Sequence, residues 1–259
     1  MIFVIIAYNN EVEVKNFINK QLLAQTFKDI RIYVVVNGGD FSFEKNERVT
    51  ILRPGKNTGY LGALRYVIET EHPDYKYITL CNTDLSLEGN DFLDKYIKEI
   101  RNKEFAVAAP RIYSDLTKTE QNPLCATRQS KKKIEQQKFF YSNPFLYSIY
   151  QYLFYLKRFL AKKTNINFIE HPYALHGSFM TISKNYFNKG GTLNYPVLIY
   201  GEELFLAEET LKLGLKNLLV SNLNIIHYEH ATTGKYNFKQ VGYMKEAMSY
   251  ILNNYYKSE

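Results

Sequence analysis

The sequence predicts an α/β fold, with a mostly parallel central sheet flanked by helices. The first observation is a set of near-continuous apolar runs at 2–7, 30–36 and 77–81, with shorter runs at 49–52 and 106–109. Runs of this length without alternation are typical of strands buried on both faces of a parallel sheet. The second observation is that helix-like segments separate these runs, and alternating strands and helices are the α/β pattern. This pattern fills the first 110 residues.

The helices follow from apolar spacing. Between the first two runs, Val14, Phe17, Ile18 and Leu22 recur at intervals of three and four, which predicts an amphipathic helix. A second helix is expected over about 62–70. Later in the chain, strands are predicted at 174–182 and 218–226, and a helix over 203–213 stops before a glycine. A closing amphipathic helix carries its apolar positions at Phe238, Val241, Met244, Met248, Ile251 and Tyr255.

Length and composition favour one soluble domain spanning 1–259. The chain is 46% hydrophobic and 23% charged, which excludes disorder, and its two cysteines, Cys81 and Cys125, exclude a disulfide scaffold. So few cysteines fit a reducing compartment. The run at 2–7 is too short to span a bilayer, so we interpret it as a buried strand and expect a cytoplasmic protein. No Gly-x-Gly-x-x-Gly follows this strand, which disfavours a nicotinamide dehydrogenase.

A basic and aromatic insertion is predicted at 111–170, between the halves 1–110 and 171–259. The net charge is +7, and the stretch from Arg128 to Lys163 alone holds nine basic residues and one acid, Glu135, interleaved with ten aromatic rings. This mixture suits the anionic surface of a membrane, where rings lie at the headgroups and lysines meet phosphate. A nucleic-acid surface and a solvated basic face over a small aromatic core are the alternatives.

Three polar groups directly follow apolar runs: Tyr8-Asn9-Asn10, Asn37-Gly38-Gly39-Asp40 and Asn82-Thr83-Asp84. Ligands bind at the carboxyl ends of strands in open parallel sheets, so these groups predict a site at one sheet edge. Magnesium and manganese commonly take only one or two protein carboxylates beside phosphates, and Asp84 would supply one.

The chain resembles the inverting family-two glycosyltransferases of the GT-A fold, in particular their rhamnosyltransferase-like bacterial branch. The motifs occur in the family's order: FVIIAYNN, QLLAQTF, IYVVVNGGD, RPGKNTGYLGALR, YITLCNTDLSL, AAPRIY, HGSFMTISKNYF, LIYGEELFLAEE and IIHYEHATTG. The resemblance implies a nucleotide-binding half at 1–110, the helical insertion, and an acceptor-binding half with a C-terminal helix at 171–259.

The resemblance also implies roles for individual residues. Asp84 corresponds to the metal ligand, with Mn²⁺ or Mg²⁺ as cofactor, and His227 is a second ligand or a phosphate contact, with His230 as its competitor. Glu203 corresponds to the general base, and Glu202 is the alternative. His176 is expected to be a packing residue. The implied donor-binding residues are Ala7, Tyr8, Asn9, Asn37, Asn57, Gly59, Arg65, Asn82 and Thr83.

Some positions depart from the family pattern. Asn82 stands where the first Asp of the metal motif is often found, Val36 replaces a common Asp beside Asn37, and Phe205 replaces a common acid. The implied function is transfer of a hexose or deoxyhexose from a UDP- or dTDP-sugar to a saccharide bound to polyprenyl diphosphate, in synthesis of bacterial surface polysaccharide such as capsule or O-antigen. The enzyme would lie on the inner face of the cell membrane. A catalytically silent sugar- or nucleotide-binding module is the alternative.

Overall fold

The computed structural model describes residues 1–160, 169–229 and 238–257, with 154–160 described as helix backbone. His230, Lys162 and Lys163 lie outside the described residues. The strands are β1 (Ile2–Tyr8), β2 (Arg31–Gly38), β3 (Val49–Leu52), β4 (Tyr77–Cys81), β5 (Leu85–Leu87), β6 (Val107–Ser114), β7 (Thr119–Glu120), β8 (Phe179–Ser183) and β9 (Leu218–His227). The helices are α1 (Glu11–Phe17), α2 (Tyr60–Glu71), α3 (Phe92–Ile100), α4 (Lys131–Phe140), α5 (Pro144–Leu160), α6 (Lys184–Asn188), α7 (Glu202–Lys212) and α8 (Phe238–Tyr255).

The strands form one sheet in the order β3-β2-β1-β4-β8-β6-β9-β5, with β7 beside β6. The first half is parallel: β1 pairs with β2 and β4, and β2 pairs with β3. Strand β8 then runs antiparallel to both β4 and β6, and β5 runs antiparallel to β9. The α/β class with a central sheet is therefore confirmed, but the sheet is mixed where we expected it to be mostly parallel.

The hydrophobic core lies on both faces of this sheet. In β1, Ile2 and Val4 join one cluster while Phe3 and Ile5 join the other, because successive side chains of a strand point to opposite faces. Helices α2, α7 and α8 bury apolar residues in the first cluster, and α1 and α3 do so in the second. Coverage of both faces explains why the apolar runs of the sequence show no alternation.

Several element boundaries differ from the sequence predictions. Helix α1 ends at Phe17 and continues as a π-helical turn over Ile18–Leu22. The run predicted as one strand over 174–182 is a strand only from Phe179, since Ala174 makes an isolated bridge to Cys125. Strand β6 runs through Pro110, the expected end of the first half.

The insertion contributes α4 and α5, which pack beside α8. Tyr147 of α5 forms a third small apolar cluster with Val241 and Met244 of α8. Arg128, just before α4, donates from Nε to Glu208 Oε1 of α7 at 2.9 Å, and its guanidinium lies 4.1 Å from the centre of the Tyr256 ring. The insertion is thus attached to the rest of the chain by a partly buried ion pair and a cation–π contact. Among the described residues, none of the helices combines the length and hydrophobicity needed to cross a bilayer.

Candidate active site

The first polar group stands at the end of β1, where the pairing with β2 contains a bulge between Ala7 and Tyr8. Asn9 has a left-handed backbone (φ 57°), and its N–H donates to the Gly38 carbonyl oxygen at 3.2 Å. The exposed Tyr8 ring lies over Gly38, where an added Cβ would stand 2.7 Å from ring atom Cε2. Glycine at this position therefore lets the ring lie flat against the strand end.

Asn37, at the end of β2, holds the turn before α2. Its Oδ1 accepts from the N–H and the hydroxyl of Thr58 at 3.2 and 2.9 Å, and its Nδ2 donates to the Gly59 carbonyl oxygen at 3.3 Å. Gly59 donates to Asn57 Oδ1 at 2.9 Å, and its φ of 78° together with a close approach to Leu198 requires glycine. Asn37 is buried, and both its side-chain oxygen and its side-chain nitrogen form hydrogen bonds that hold the turn.

The third group links β4 to its neighbours. The N–H of Asn82 donates to the Ser178 carbonyl oxygen at 2.8 Å, which attaches it to the segment before β8. Thr83 donates to Glu13 of α1 and lies 3.4 Å from Asn10 Nδ2. The ends of β1 and β4 are therefore joined by side chains, as the predicted common edge requires.

Asp84 and His227 lie together at this edge. His227 Nε2 is 3.3 Å from Asp84 Oδ1, and both side chains are almost buried. His227 Nδ1 lies 2.9 Å from Gln121 Oε1, and Gln121 Nε2 donates to Glu229 Oε1 at 2.6 Å. Because the amide oxygen of Gln121 accepts, His227 Nδ1 is the donor of this bond, which turns the Nε2 side of the ring towards Asp84.

This pair fits a divalent cation. A carboxylate oxygen and an imidazole nitrogen point at each other, and a hydrogen bond from the second ring nitrogen fixes the ring, as it does for most metal-binding histidines. Across residues 1–160, 169–229 and 238–257, no cluster of three or more His, Cys, Asp or Glu side chains is arranged to hold a metal ion. A cation here would complete its shell with ligand oxygens and water.

Residues 176–178 connect this pair to a second polar centre. The His176 ring lies 5.6 Å from the His227 ring, and its Nδ1 accepts from the Ser178 N–H at 3.2 Å. Burial lowers the pKa of His176 to about 3, so the ring is neutral and its proton is on Nε2. The next residue, Gly177, accepts from the Tyr60 hydroxyl at 2.7 Å. His176 therefore does more than pack: it lies between the two centres.

The second centre is the carboxyl pair that begins α7. Burial raises the pKa of Glu203 and, together with the charge of Glu203, raises the pKa of Glu202 well above its usual range. Glu203 is half-buried, and its carboxylate accepts from its own N–H and from the N–H of Gly177. Glu202 is buried, and its Oε2 has no partner among the described residues. Glu202 is therefore the less favourable of the two positions for a negative charge.

Gly177 makes room for this carboxylate. A Cβ at this position would stand 2.6 Å from Glu203 Oε1, so any other residue would displace the carboxylate. Gly201, at the start of α7, has a φ of 80°, and a Cβ at this position would stand 2.6 Å from the Tyr195 hydroxyl and 2.7 Å from the Ala247 Cβ. The two glycines fix the place and the direction of the carboxyl pair.

Two predicted residues have other surroundings. Arg65 on α2 donates to Asn194 at 3.0 Å and pairs with Glu69, rather than with the polar groups at the strand ends. Phe205 is buried against Tyr195, with ring centroids 5.0 Å apart, so an acid at this position would lose its hydration. Gln121 and Glu229 were not singled out from the sequence, because neither stands in a pattern that marks a ligand.

The comparisons with known proteins agree with this architecture. Residues 2–175 match the sequence profile of Glycosyl transferase family 2. A comparison with curated proteins returned no match.

Two solved structures share the fold at low sequence identity. Mannosyltransferase PcManGT from Pyrobaculum calidifontis, in complex with GDP-Man and Mn²⁺, has a TM-score of 0.52 and 10% identity, over 90% of this chain and 58% of that chain. GalNAc-T7 with UDP, GalNAc and Mn²⁺ has a TM-score of 0.55 and 12% identity, over 98% of this chain and 49% of that chain. The chain thus spans about half the length of these proteins, and the likeness shows the GT-A fold. With a profile match over more than half of its length, the chain belongs to glycosyl transferase family 2.

Proposed function

We propose that the protein is a metal-dependent inverting glycosyltransferase that moves one sugar from a nucleotide-sugar donor to a saccharide acceptor. One observation carries this proposal: the Asp84–His227 pair and the Glu203 carboxylate are joined through residues 176–178 at one edge of the sheet. A glycosyl transfer needs both parts, because the diphosphate leaving group must be stabilised and the acceptor hydroxyl must lose a proton.

Asp84 and His227 would hold the cation, Mn²⁺ or Mg²⁺. When bound, the cation would neutralise the charge that develops on the departing diphosphate. Gln121 accepts from His227 Nδ1 and so holds the ring with Nε2 towards Asp84. The two similar structures hold Mn²⁺ with a nucleotide or nucleotide sugar, which supports the same requirement here.

Glu203 would act as the general base. Its carboxylate is half-buried and accepts from two backbone N–H groups, which favour the charged form, so it can accept the proton of an acceptor hydroxyl. Direct attack of that hydroxyl on the face opposite the nucleotide inverts the anomeric centre. Glu202 is the weaker candidate, because it is more deeply buried and its pKa is raised well above the usual range.

The donor would bind across the ends of β1, β2 and β4. The exposed ring of Tyr8 offers a face for a nucleobase, next to Ala7 and Asn9. Asn37 contributes by positioning Asn57 and Gly59, while Asn82 and Thr83 lie beside the metal pair. We propose a UDP- or dTDP-sugar as donor. Arg65 would have to leave Asn194 to reach a diphosphate, so its role stays a prediction.

For the acceptor we propose a saccharide linked to polyprenyl diphosphate, as used in bacterial surface polysaccharides such as capsule or O-antigen. The basic and aromatic insertion lies next to α7 and α8 and supports a peripheral position on the inner face of the cell membrane. A silent binding module on the same fold is the alternative. It would bind a sugar nucleotide without breaking it.

The test is a panel of UDP-, dTDP- and GDP-sugars with Mn²⁺. We expect one donor to raise the melting temperature by mass action and to be hydrolysed slowly when the acceptor is absent. Asp84→Asn should lose the metal-dependent part of both effects, whereas the matched variant Asp74→Asn, at an exposed carboxylate between α2 and β4, should keep them. Stabilisation without hydrolysis would favour the silent module, and full activity of Asp84→Asn would refute the metal assignment.

A further inference from the structure

We propose that α4, α5 and α8 form one docking face for an anionic phospholipid bilayer, with a groove between α4 and α8 that receives headgroup phosphates. This inference rests on the peripheral position proposed above. It identifies the surface that would contact the bilayer, and it includes α8, a helix outside the insertion. Exposed rings, grouped lysines and the shape of the groove support it separately.

Exposed rings mark the face. Phe139, Phe145 and Tyr152 of α4 and α5 are 61%, 73% and 67% exposed, and Phe238 at the start of α8 is 79% exposed. Among the described residues, these are the aromatic side chains with more than three fifths of their surface in solvent. Phe238 was predicted to belong to the buried stripe of α8 and does not. Large rings kept in water on one set of packed helices indicate an interaction surface.

The groove between α4 and α8 is basic. The groove has a volume of about 570 Å³ and is open along its length. Its lining includes Lys131, Lys138, Lys245 and Lys257 against one acid, Glu135. Oxygen-rich phosphate groups suit such a lining, since lysine binds phosphate as a point charge.

Rings and lysines share the same helix faces. On α8, Phe238, Lys245 and Leu252 are spaced by seven residues, which places them on one stripe of the helix. On α4, Lys138 and Phe139 both line the groove. Lysines beside outward rings match a membrane interface, where the rings enter the headgroup layer and the ammonium groups meet phosphate.

An anionic bilayer fits this face better than nucleic acid. Leu153 of α5 is also exposed, and Leu252 lines the groove. Aliphatic side chains gain free energy in the acyl boundary but offer no face on which a base can stack. We therefore commit to the bilayer and leave single-stranded nucleic acid as an outcome of the test.

The first experiment is sedimentation with phosphatidylglycerol and with phosphatidylcholine vesicles, without any sugar nucleotide. Lys138, Lys245 and Lys257 are replaced by Ser. A lysine near an anionic surface contributes about fivefold to partitioning, so the triple variant should bind phosphatidylglycerol vesicles about 100-fold more weakly. The control, Lys20, Lys98 and Lys216 replaced by Ser, removes the same charge from exposed positions on other elements and should bind nearly as the parent does.

A second experiment uses the absence of tryptophan from the sequence. Phe145→Trp places a single reporter on the proposed face, and Val12→Trp places one on α1 at the same 73% exposure. With phosphatidylglycerol vesicles, the emission at position 145 should shift to the blue and be quenched by brominated lipid. The emission at position 12 should not change.

Several outcomes would overturn the proposal. Equal loss of binding in both triple variants would mean that net charge alone is responsible, and no shift at position 145 would mean that the rings stay in water. Binding of an oligonucleotide that depends on Lys138, Lys245 and Lys257, with no vesicle binding, would identify a nucleic-acid surface. Because these assays measure binding alone, failure here leaves the proposed transferase intact, and failure of the donor panel leaves this face intact.

Discussion

The two carboxyls at the start of α7 have the same chemistry and different surroundings. Glu203 accepts hydrogen bonds from two backbone N–H groups, which favour its charged form, while Glu202 has a buried oxygen with no partner among the described residues. Like charges at neighbouring positions raise each other's cost of ionisation. The surroundings thus favour the charged form more at Glu203, the proposed base, than at Glu202.

Replacing the base tests this separation. Glu203→Gln should lower turnover by at least about 100-fold, the low end for loss of a positioned base. Donor binding, measured by heat stabilisation, should be nearly unchanged. Glu202→Gln is the matched control, since it replaces the more deeply buried carboxyl whose charged form is disfavoured, and it should cost far less. If Glu202→Gln has the larger effect, the base is Glu202, and loss of donor affinity in Glu203→Gln would assign that carboxylate to binding.

The same surroundings predict the pH dependence. Burial raises the pKa of Glu203 above the ordinary value of 4.5. The base works only when deprotonated, so kcat/KM should fall as the pH drops through this raised pKa, and the acidic limb should lie above pH 4.5. A pH profile of the parent enzyme with a soluble acceptor measures the limb. An acidic limb at or below 4.5 would contradict a buried base.

At the scale of elements, Asn37 joins β2 to α2. Three of its hydrogen bonds hold Thr58 and Gly59, and the Tyr60 N–H at the start of α2 donates to the Leu198 carbonyl oxygen at 2.7 Å. The turn is therefore held from the sheet on one side and from the loop before α7 on the other. Asn37, a polar residue at a strand end, therefore maintains the shape of the site by holding this turn.

Asn37→Ala should destabilise the protein by about 1–3 kcal/mol, because it leaves buried polar groups of the turn without partners. Urea denaturation measures this change. Asn19→Ala, at an exposed position of the π-helical turn, is the control and should stay within about 0.5 kcal/mol of the parent. Unchanged stability with lost donor binding would instead assign Asn37 to the nucleobase, as the sequence predicts.

The sequence predicted the elements whose signal is local. The apolar runs identified β1 to β4, and the polar residues after them identified the sheet edge at which Asn10, Thr83 and Asp84 gather. It could not predict the direction of β8, because a run of apolar residues is compatible with parallel and with antiparallel pairing. Gln121 was missed for a related reason: its role depends on His227, which is 106 residues away in the chain.

At the scale of the whole molecule, Arg128 holds the insertion to α7 and α8, while the sheet edge belongs to other elements. Lys131, Lys132 and Lys133 begin α4 and lie outside the two polar centres. The proposed chemistry and the proposed membrane contact would therefore use separate parts of the chain.

This separation can be measured with two acceptors. Replacing Lys131, Lys132 and Lys133 with Ser should reduce turnover on a lipid-linked acceptor about tenfold or more, since each lysine near an anionic surface contributes about 1 kcal/mol. Turnover on a short soluble acceptor should be spared. The Lys20, Lys98 and Lys216 variant is the control for charge. Equal loss on both acceptors would place Lys131 to Lys133 in the wall of the active site.

The antiparallel direction of β8 has a consequence for how this fold could diversify. Strand β6 runs parallel to β9 and antiparallel to β8, so the chain leaves β6 at the same edge of the sheet to which it returns before β8. The segment between them carries Gln121 near one end and His176 and Gly177 near the other, beside Asp84 and Glu203. The middle of the segment, with α4 and α5, can be replaced by another sequence, which would change the partner presented to the same site without altering the order of the strands.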